Sequence, residues 1–400
     1  MPATHAKLSP SGSSRWMACP GSVRMTSEIK SQSGSAAWNG TVIHQAGENL
    51  LNGKNCETGI SIVVEDNGKD KVEWLSKPQF EEAKNYADYV KRLVKKDKNS
   101  ELIVEMKVDL TDIAPETFGH ADAVVLENGN LHVIDLKTGA GLVSAENNSQ
   151  LMIYGYGAFK EFELLEDVNN IILHIVQDNP RTGGDRSNSW SITPDDLIMW
   201  IDDEVKPAAE EALKEDSKCV AGEKQCQWCD AASFCPTLHD KATSEIDDLF
   251  DEVDVDPKDN SKVSVNNTSM EKVVKFLENS KMITNLIAAC NRRVEGELLD
   301  GKDVPGYKLV KGQKHKKWDD EELAYSKLTG WCKIDDVAPR KLCTPNQAEK
   351  ILGKMSTVKQ NKFNELWTRP EGELVAVPAS DKRPAEKSPI DYFEDLDDEL

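Results

Sequence analysis

Three short stretches decide the fold: Leu102-Ile-Val-Glu-Met-Lys-Val-Asp109, Ala121-Asp-Ala-Val-Val-Leu126 and Leu131-His-Val-Ile-Asp-Leu-Lys137. Each is rich in β-branched residues and bounded by turn formers, which is the pattern of a strand. Asn128-Gly129-Asn130 between the last two is a tight turn of the kind that closes a hairpin, and Thr138-Gly-Ala-Gly141 breaks the third. Working outward, Val42, Ile43, Ala46, Leu50 and Leu51 recur at helical spacing, with Thr41 as the expected N-cap. Residues 78–98 read as an amphipathic helix with a basic end and 146–165 as another helix. Ile171–Val176 reads as a fourth strand, and 194–215 as a helix begun by Thr193 and Pro194. Helix, three meandering strands, helix, strand predicts an α/β core with a mixed central sheet flanked by helices.

The chain has 400 residues, which suggests two domains or one with a large appendage. The expected divisions are a first domain over 1–240, an acidic linker over 241–268, a smaller α+β C-terminal region over 269–380 opened by a helix over 269–300, and a disordered acidic tail over 381–400. No apolar run approaches about 18 residues, and the N-terminus lacks a hydrophobic signal core, so the expectation is a cytoplasmic protein without a membrane partner. A net charge of −21 taken alone argues against nucleic acid. Its placement softens that argument. Acid concentrates in Glu245–Asp256 and Asp391–Leu400, while basic clusters survive at Lys91, Arg92, Lys95, Lys96 and Lys98 and at Lys308, Lys311, Lys314, Lys316 and Lys317. The acidity also suits a site that collects divalent cations.

Candidate chemistry sits on the strands. Asp122 opens the second, after Gly119, and Asp135-Leu136-Lys137 closes the third. Alternation puts Asp135 and Lys137 on one face. Asp122, Asp135 and the Leu136 carbonyl could offer oxygens to Mg²⁺ or Mn²⁺, with His44 approaching from the first helix. A metal lowers the pKa of its bound water, and Lys137 could orient that water or steady a charged phosphate. Gln150 and Tyr154 lie one helical turn apart on the following helix and share a face. Glu48 and Glu105 are weaker candidates; for Glu105 a solvated strand face is an equal reading.

Nine cysteines without secretion need a reason, since disulfides are rare in the cytosol. Cys226-Gln-Trp-Cys229 followed by Cys235 is a strong metal signal, and Cys19, which like Cys235 precedes proline, is the best fourth ligand. Ligand identity leaves zinc and iron–sulfur open. Cys56, Cys219, Cys290, Cys332 and Cys343 read as small buried hydrophobes, and His239 and Cys219 fall outside the ligand set.

In order and spacing, His44, Gly119-x-x-Asp122, Asp135-x-Lys137 and Gln150-x-x-x-Tyr154 resemble the RecB-type branch of the PD-(D/E)XK nucleases, over about residues 15–240. The resemblance implies a restriction-endonuclease-like core, metal-dependent DNA cleavage, and a Gln150–Tyr154 face lining the active site. Asp135 stands where the wider group has Glu, and the branch accepts this. One cysteine before the core and three after it resemble the iron–sulfur staple of AddB and its relatives, which implies a 4Fe–4S cluster rather than Zn²⁺. The expected function is a DNA exonuclease that makes single strands from DNA ends for recombination or replication. The C-terminal region resembles that of phage-encoded nucleases of this branch, which implies work in the host cytoplasm beside a single-strand-binding or annealing protein. The alternative is a non-catalytic DNA-binding or assembly factor on a nuclease fold; an iron–sulfur electron carrier would leave the His, Asp and Lys pattern unexplained. No P-loop of the form G-x4-G-K-[ST] is present, so any ATP-driven unwinding would come from a partner. Pro305–Trp318 mixes Lys with aromatics as a phosphate track would, or as a solvated hairpin with a core Trp would.

Overall fold

The computed structural model describes residues 7–27, 29, 35–59, 61–66, 69–95, 99–162, 167–178, 184–250, 270–312, 316–318, 321–333, 344–368, 374–378 and 381–386. Its contacts divide the chain into two compact units, Met1–Leu286 and Ile287–Leu400.

In the first unit, two short helices, α1 (Ser13–Ala18) and α2 (Gly21–Thr26), precede α3 (Ser35–Leu51). Thr41, expected to start α3, lies inside it and returns its hydroxyl to the Ala37 carbonyl at 3.2 Å. The small residues upstream let the helix begin earlier. A hairpin of β1 (Ser61–Asp66) and β2 (Lys69–Trp74) leads to α4 (Lys77–Val94), whose Ser76 and Gln79 form a capping box. Then come β3 (Glu101–Asp109), β4 (Phe118–Glu127), β5 (Asn130–Lys137), α5 (Ser149–Phe162), β6 (Asn170–Gln177) and β7 (Asn188–Ile192). The unit continues through α6 (Pro194–Trp200), a π-helical turn (Ile201–Val205), α7 (Lys206–Ala212), α8 (Glu223–Gln227) and α9 (Pro236–Phe250).

β3 to β7 form one five-stranded sheet in chain order. β3, β4 and β5 are antiparallel neighbours, α5 crosses over so that β6 runs parallel to β5, and β7 returns antiparallel. The β4–β5 turn puts Asn128 at φ 47° and Gly129 at φ 72°, both left-handed, the requirement of a tight hairpin turn that Asn-Gly satisfies. The fold class is therefore α/β, with a mixed sheet flanked by helices. On one face, Val108, Val124, Leu131, Val133, Ile171 and Leu173 pack with α5. On the other, Val125, Ile134 and Leu136 pack with Val42, Ile43 and Ala46 of α3 and Tyr86 and Val90 of α4.

Side-chain alternation reverses once within this sheet. On β3, Leu102 joins the α3–α4 core, yet Met106 and Val108, at the same parity, join the α5 core. On β4, Ala121 lies with the α5 core and Ala123 and Val125 with the other. The reversals fall at Glu105, whose φ is 52°, and at Asp122, which faces it across the strand pair between Val104↔Ala123 and Met106↔Ala121.

The linker expected over 241–268 is helical through Phe250, and residues 251–269 lie outside the described set. α10 (Met270–Leu299) follows. Its first half belongs to the first unit, held by Lys275–Glu245 (3.6 Å) and Lys281–Glu223 (2.5 Å) ion pairs.

The second unit holds β8 (Tyr307–Lys311), β9 (Lys317–Trp318), α11 (Glu321–Thr329), α12 (Pro345–Leu352), α13 (Thr357–Asn364), β10 (Trp367–Thr368) and β11 (Leu374–Pro378). β8 pairs with β11 and β9 with β10. The core is Trp318, Ala324, Leu328, Ala348, Phe363 and Leu366, with the Trp318 and Phe363 rings edge to face at 5.9 Å. Of the two readings of Pro305–Trp318, the structure gives the Trp to the core, and residues 313–315 lie outside the described set. Trp318 is buried, Lys308 donates to the Asp381 and Arg383 carbonyls, and Lys316 pairs with Glu349 above the Trp367 ring. Of the expected tail, residues 387–400 lie outside the described set. Among the described residues, no helix is long and apolar enough to cross a membrane.

Helix α5 lies so close to the sheet that a Cβ on Gly157 would fall 2.7 Å from the Val108 Cβ. Gly157→Ala should lower stability by about 1–3 kcal/mol through overpacking, read as an earlier denaturant midpoint.

Candidate active site and cysteine cavity

The site forms where β4 and β5 end against α3 and α5. Gly119, the first residue of Gly-x-x-Asp, has a spatial reason: a Cβ there would lie 2.6 Å from the Tyr154 ring and 2.9 Å from Pro10. Its absence lets α5 close over the strand. Three residues on, Asp122 accepts a 2.8 Å hydrogen bond from the Leu136 amide and faces His44 Nδ1 at 3.4 Å. Thus Leu136 contributes its N–H to the carboxylate pair. Asp135 is almost fully buried on β5. Gln150 donates to its Oδ1 at 3.0 Å, and Lys137 Nζ stands 2.7 Å from its Oδ2 and donates to Gln150 Oε1 at 3.0 Å. Tyr154 is hydrogen-bonded to Gln150 one turn away. All the residues singled out for catalysis and metal binding on the nuclease pattern, namely His44, Asp122, Asp135, Leu136, Lys137, Gln150 and Tyr154, meet at this one place.

Their ionisation follows from that crowding. Burial opposes the Asp122 charge, but His44, the Leu136 amide and Lys137 hold its carboxyl below the usual range. Burial and the neighbouring Asp122 push Asp135 up to about 6 against the pull of Lys137. Burial disfavours the His44 cation, yet Asp122 beside it and Asp135 beyond overcome this and raise it to about 9. Burial raises the Tyr154 phenol.

Three further groups belong to this cluster. Glu105, a weak candidate in the sequence, faces Asp122 from β3, so that Glu105, Asp122 and Asp135 make a row across three strands. Partial burial, then the nearby Asp122, Glu48 and Asp135, push its carboxyl up to about 7 against the pull of His44. Glu82 on α4 is raised to about 7 by burial and by Asp178. Tyr86 on α4 is buried and its hydroxyl has no partner, while Asp122, Glu105 and Asp135 all bear on it. A Cβ on Gly47 of α3 would stand 2.9 Å from the Tyr86 ring, so that glycine makes room for it. Helical spacing alone marks Tyr86 as core; only the orphaned hydroxyl separates it from other buried aromatics. Glu48 turns to Gln45, Asn52 and Lys54 on its own side of α3.

The donor chemistry here fits a hard divalent cation: closely set carboxylates, with Asp135 Oδ2 buried and facing only the Lys137 ammonium. Asp122 and Asp135, with the Leu136 carbonyl between their neighbours on β5, would be the ligands. In the described conformation the carboxylates are instead paired with His44 and Lys137, and among the described residues no three His, Cys, Asp or Glu side chains are arranged as a cage.

A second cluster lines a small, mostly apolar cavity. Cys19, at the end of α1, meets Cys226, Cys229 and Cys235 from the α8–α9 region, together with Met25 and Leu238. Cys219, set aside in the sequence, lines it too. Burial, Cys235 and Cys19 push its thiol up to about 12. Its company is set by Gly21, where a Cβ would lie 2.7 Å from both the Cys219 backbone nitrogen and its sulfur. Backbone N–H groups of Val220 and Gly222 point at the sulfurs of Cys19 and Cys226, at 3.2 and 3.4 Å. Amides aimed at sulfur favour thiolates, burial pushes the Cys226 and Cys229 thiols up against them, and although an all-sulfur set has the donor chemistry of an iron–sulfur or Zn²⁺ site, no three of the described sulfurs are arranged as a metal cage. His239 does not line this cavity. Of the other cysteines, Cys56 is buried, Cys290 and Cys332 are half-buried, and Cys343 lies outside the described residues.

Tyr86→Phe removes a buried hydroxyl that bonds nothing. The variant should be at least as stable as the parent, by up to about 1–3 kcal/mol, as read from the thermal midpoint. A clear loss of stability would mean that the hydroxyl has a partner in solution.

Among solved structures, one described as "Crystal structure of SSO0001" is 20% identical and covers 56% of this chain and 84% of its own, with a TM-score of 0.28. The family described as "Protein of unknown function (DUF2800)" matches residues 5–384. That match spans both compact units, and the chain belongs to this family.

Proposed function

We propose that the chain is a divalent-metal-dependent deoxyribonuclease, an exonuclease that produces single strands from DNA ends for recombination or replication. The observation that carries this reading is the meeting of Asp122, Asp135 and Lys137 beneath the Gln150 amide at one end of the sheet. Its parts answer to phosphodiester hydrolysis. Asp122 and Asp135 would hold Mg²⁺ or Mn²⁺, which when bound supplies an acidified water and positive charge at the phosphate. Gln150 fixes both Asp135 and Lys137, so the ammonium is delivered to a defined place. There it can orient the attacking water and oppose the charge growing on the phosphate. His44 keeps Asp122 ionised and fixed in direction. Tyr154 braces Gln150 from one turn away. The four cysteines Cys19, Cys226, Cys229 and Cys235 would hold a 4Fe–4S cluster, or Zn²⁺, joining two distant stretches of chain beside the core. A single-strand-binding or annealing protein would receive the product strand.

The direct test is end-labelled linear duplex DNA with anaerobically purified protein, in Mg²⁺ or Mn²⁺ and in EDTA. Nucleotides should be lost from an end with metal and not in EDTA. Asp135→Ala should abolish the loss. Lys137→Ala should slow it by about 10²–10³-fold, the usual cost of one electrostatic donor, with DNA binding and folding unchanged. A brown, folded parent that binds DNA without cutting it under any of these conditions would favour the non-catalytic reading.

The cysteine assignment has its own readout. The parent should carry iron and acid-labile sulfide in near-equal amounts and absorb visible light. Cys229→Ala should lose the colour and melt earlier. A colourless parent with one zinc would choose the other metal, and a metal-free parent as stable as its variant would remove the staple.

A further inference from the structure

Charge is divided unevenly along the chain. Residues 1–286 hold 29 Lys and Arg against 48 Asp and Glu, whereas residues 287–400 hold 20 against 22, six of those acids falling within 387–400. A polyanion is therefore repelled on average by the unit that holds the carboxylate site, while the second unit is near neutral and its basic stretches are local, as at 344–364, where Lys350, Lys354, Lys359 and Lys362 stand against Glu349.

Many cations of this second unit are committed internally. Lys302 pairs with Glu297, Lys308 caps two carbonyls, Lys316 pairs with Glu349, and Arg383 is bound by Asp381. The helix pair α12–α13 differs. Lys350 in the last turn of α12, Lys354 in the connection and Lys362 in the last turn of α13 are exposed, and none has an acidic partner among the described residues. Lys359, one turn before Lys362, is held over the Trp331 ring at 5.5 Å. The two helices are joined by only four residues. Gly353, at φ 60°, makes a turn that a side chain would strain. Phe363 and Ala348 anchor both helices in the core of this unit. Ile351 and Val358 stand exposed among the lysines. The result is a basic corner anchored in the core of this unit and open to solvent.

We propose that the α12–α13 helix pair is a docking surface for the DNA backbone, with Lys350, Lys354 and Lys362 as the phosphate contacts. It rests on the nuclease reading only in taking DNA as the polyanion. Contacts of this kind position a strand without reading its sequence, and their strength falls steeply with salt.

The test is equilibrium binding of the full chain to a fluorescent linear duplex in EDTA, where no cleavage can occur, across a salt series. The triple variant Lys350→Glu, Lys354→Glu, Lys362→Glu should bind at least about tenfold more weakly at 0.1 M salt, with a log–log salt slope shallower by about 2–3, one unit per lost contact. The Gln triple variant should give the same slope change with a smaller loss of affinity, and circular dichroism should show both folded. Unchanged affinity and slope in the Glu variant would overturn the proposal, as would a parent that does not bind DNA. Displacement of the duplex by polyglutamate at equal charge would assign the corner to an acidic protein and overturn it too. A chain that binds through these lysines but never cleaves would leave the surface standing and remove the nuclease.

Discussion

Two carboxylates facing each other on adjacent strands cannot both stay charged inside a protein unless cations and amides face them in turn. Asp122 and Asp135 are such a pair, and much of the first unit's layout serves them. α3 brings His44 to Asp122, β5 turns the Leu136 amide to the same oxygen region, and α5 carries Gln150 to Asp135 and Lys137. The price is uneven: Asp122 is held charged while Asp135 is pushed toward the neutral form. A pair held by two amides and two neighbouring cations, with the Lys137 ammonium alone facing one buried oxygen, is electrostatically suited to accept a divalent cation in place of that ammonium.

The backbone is bent to this end. A strand of regular period would send Glu105 and Asp122 wherever their parity dictates, and would keep Leu102 and Met106 in one core. The reversal at both positions instead brings two carboxylates into one row and divides the apolar residues between the α3–α4 and α5 layers. A non-glycine residue at φ 52° within a strand costs on the order of 1–3 kcal/mol, so the surrounding packing has to hold it there. Two glycines make room for the aromatic rings of the site: Gly119 gives up its side chain to Tyr154, and Gly47 to Tyr86.

This explains which parts of the molecule were legible in the sequence. β3, β4, β5, α5 and β6 declare themselves by period and turn chemistry, to within three residues at their ends. The β1–β2 hairpin did not, because Lys69-Asp-Lys-Val-Glu-Trp74 alternates charge with few apolar residues and reads as loop. β7, Asn188-Ser-Trp-Ser-Ile192, is a short polar edge strand whose pairing with β6 supplies the signal that its composition lacks. Residue types and spacing picked out the carboxylates, Lys137 and Gln150. They could not place Glu105, since a left-handed strand residue leaves no compositional mark. Nor could they place Cys219, whose neighbours are decided by the close approach at Gly21. Trp318 was ambiguous for a different reason: a Trp among lysines serves a core or a nucleic-acid surface equally well, and only packing against Phe363 decides it.

The strong acidity of the first unit is then less of an obstacle to a polyanionic substrate than the net charge suggests. Affinity for a phosphate backbone can be supplied from elsewhere on the same chain, because a covalent connection makes the second encounter intramolecular. Separating the two tasks also sets their salt dependence apart. Capture by exposed lysines weakens as ions screen it, whereas a buried carboxylate pair is screened far less. The chain's charge asymmetry is what such a division of labour would leave in the sequence.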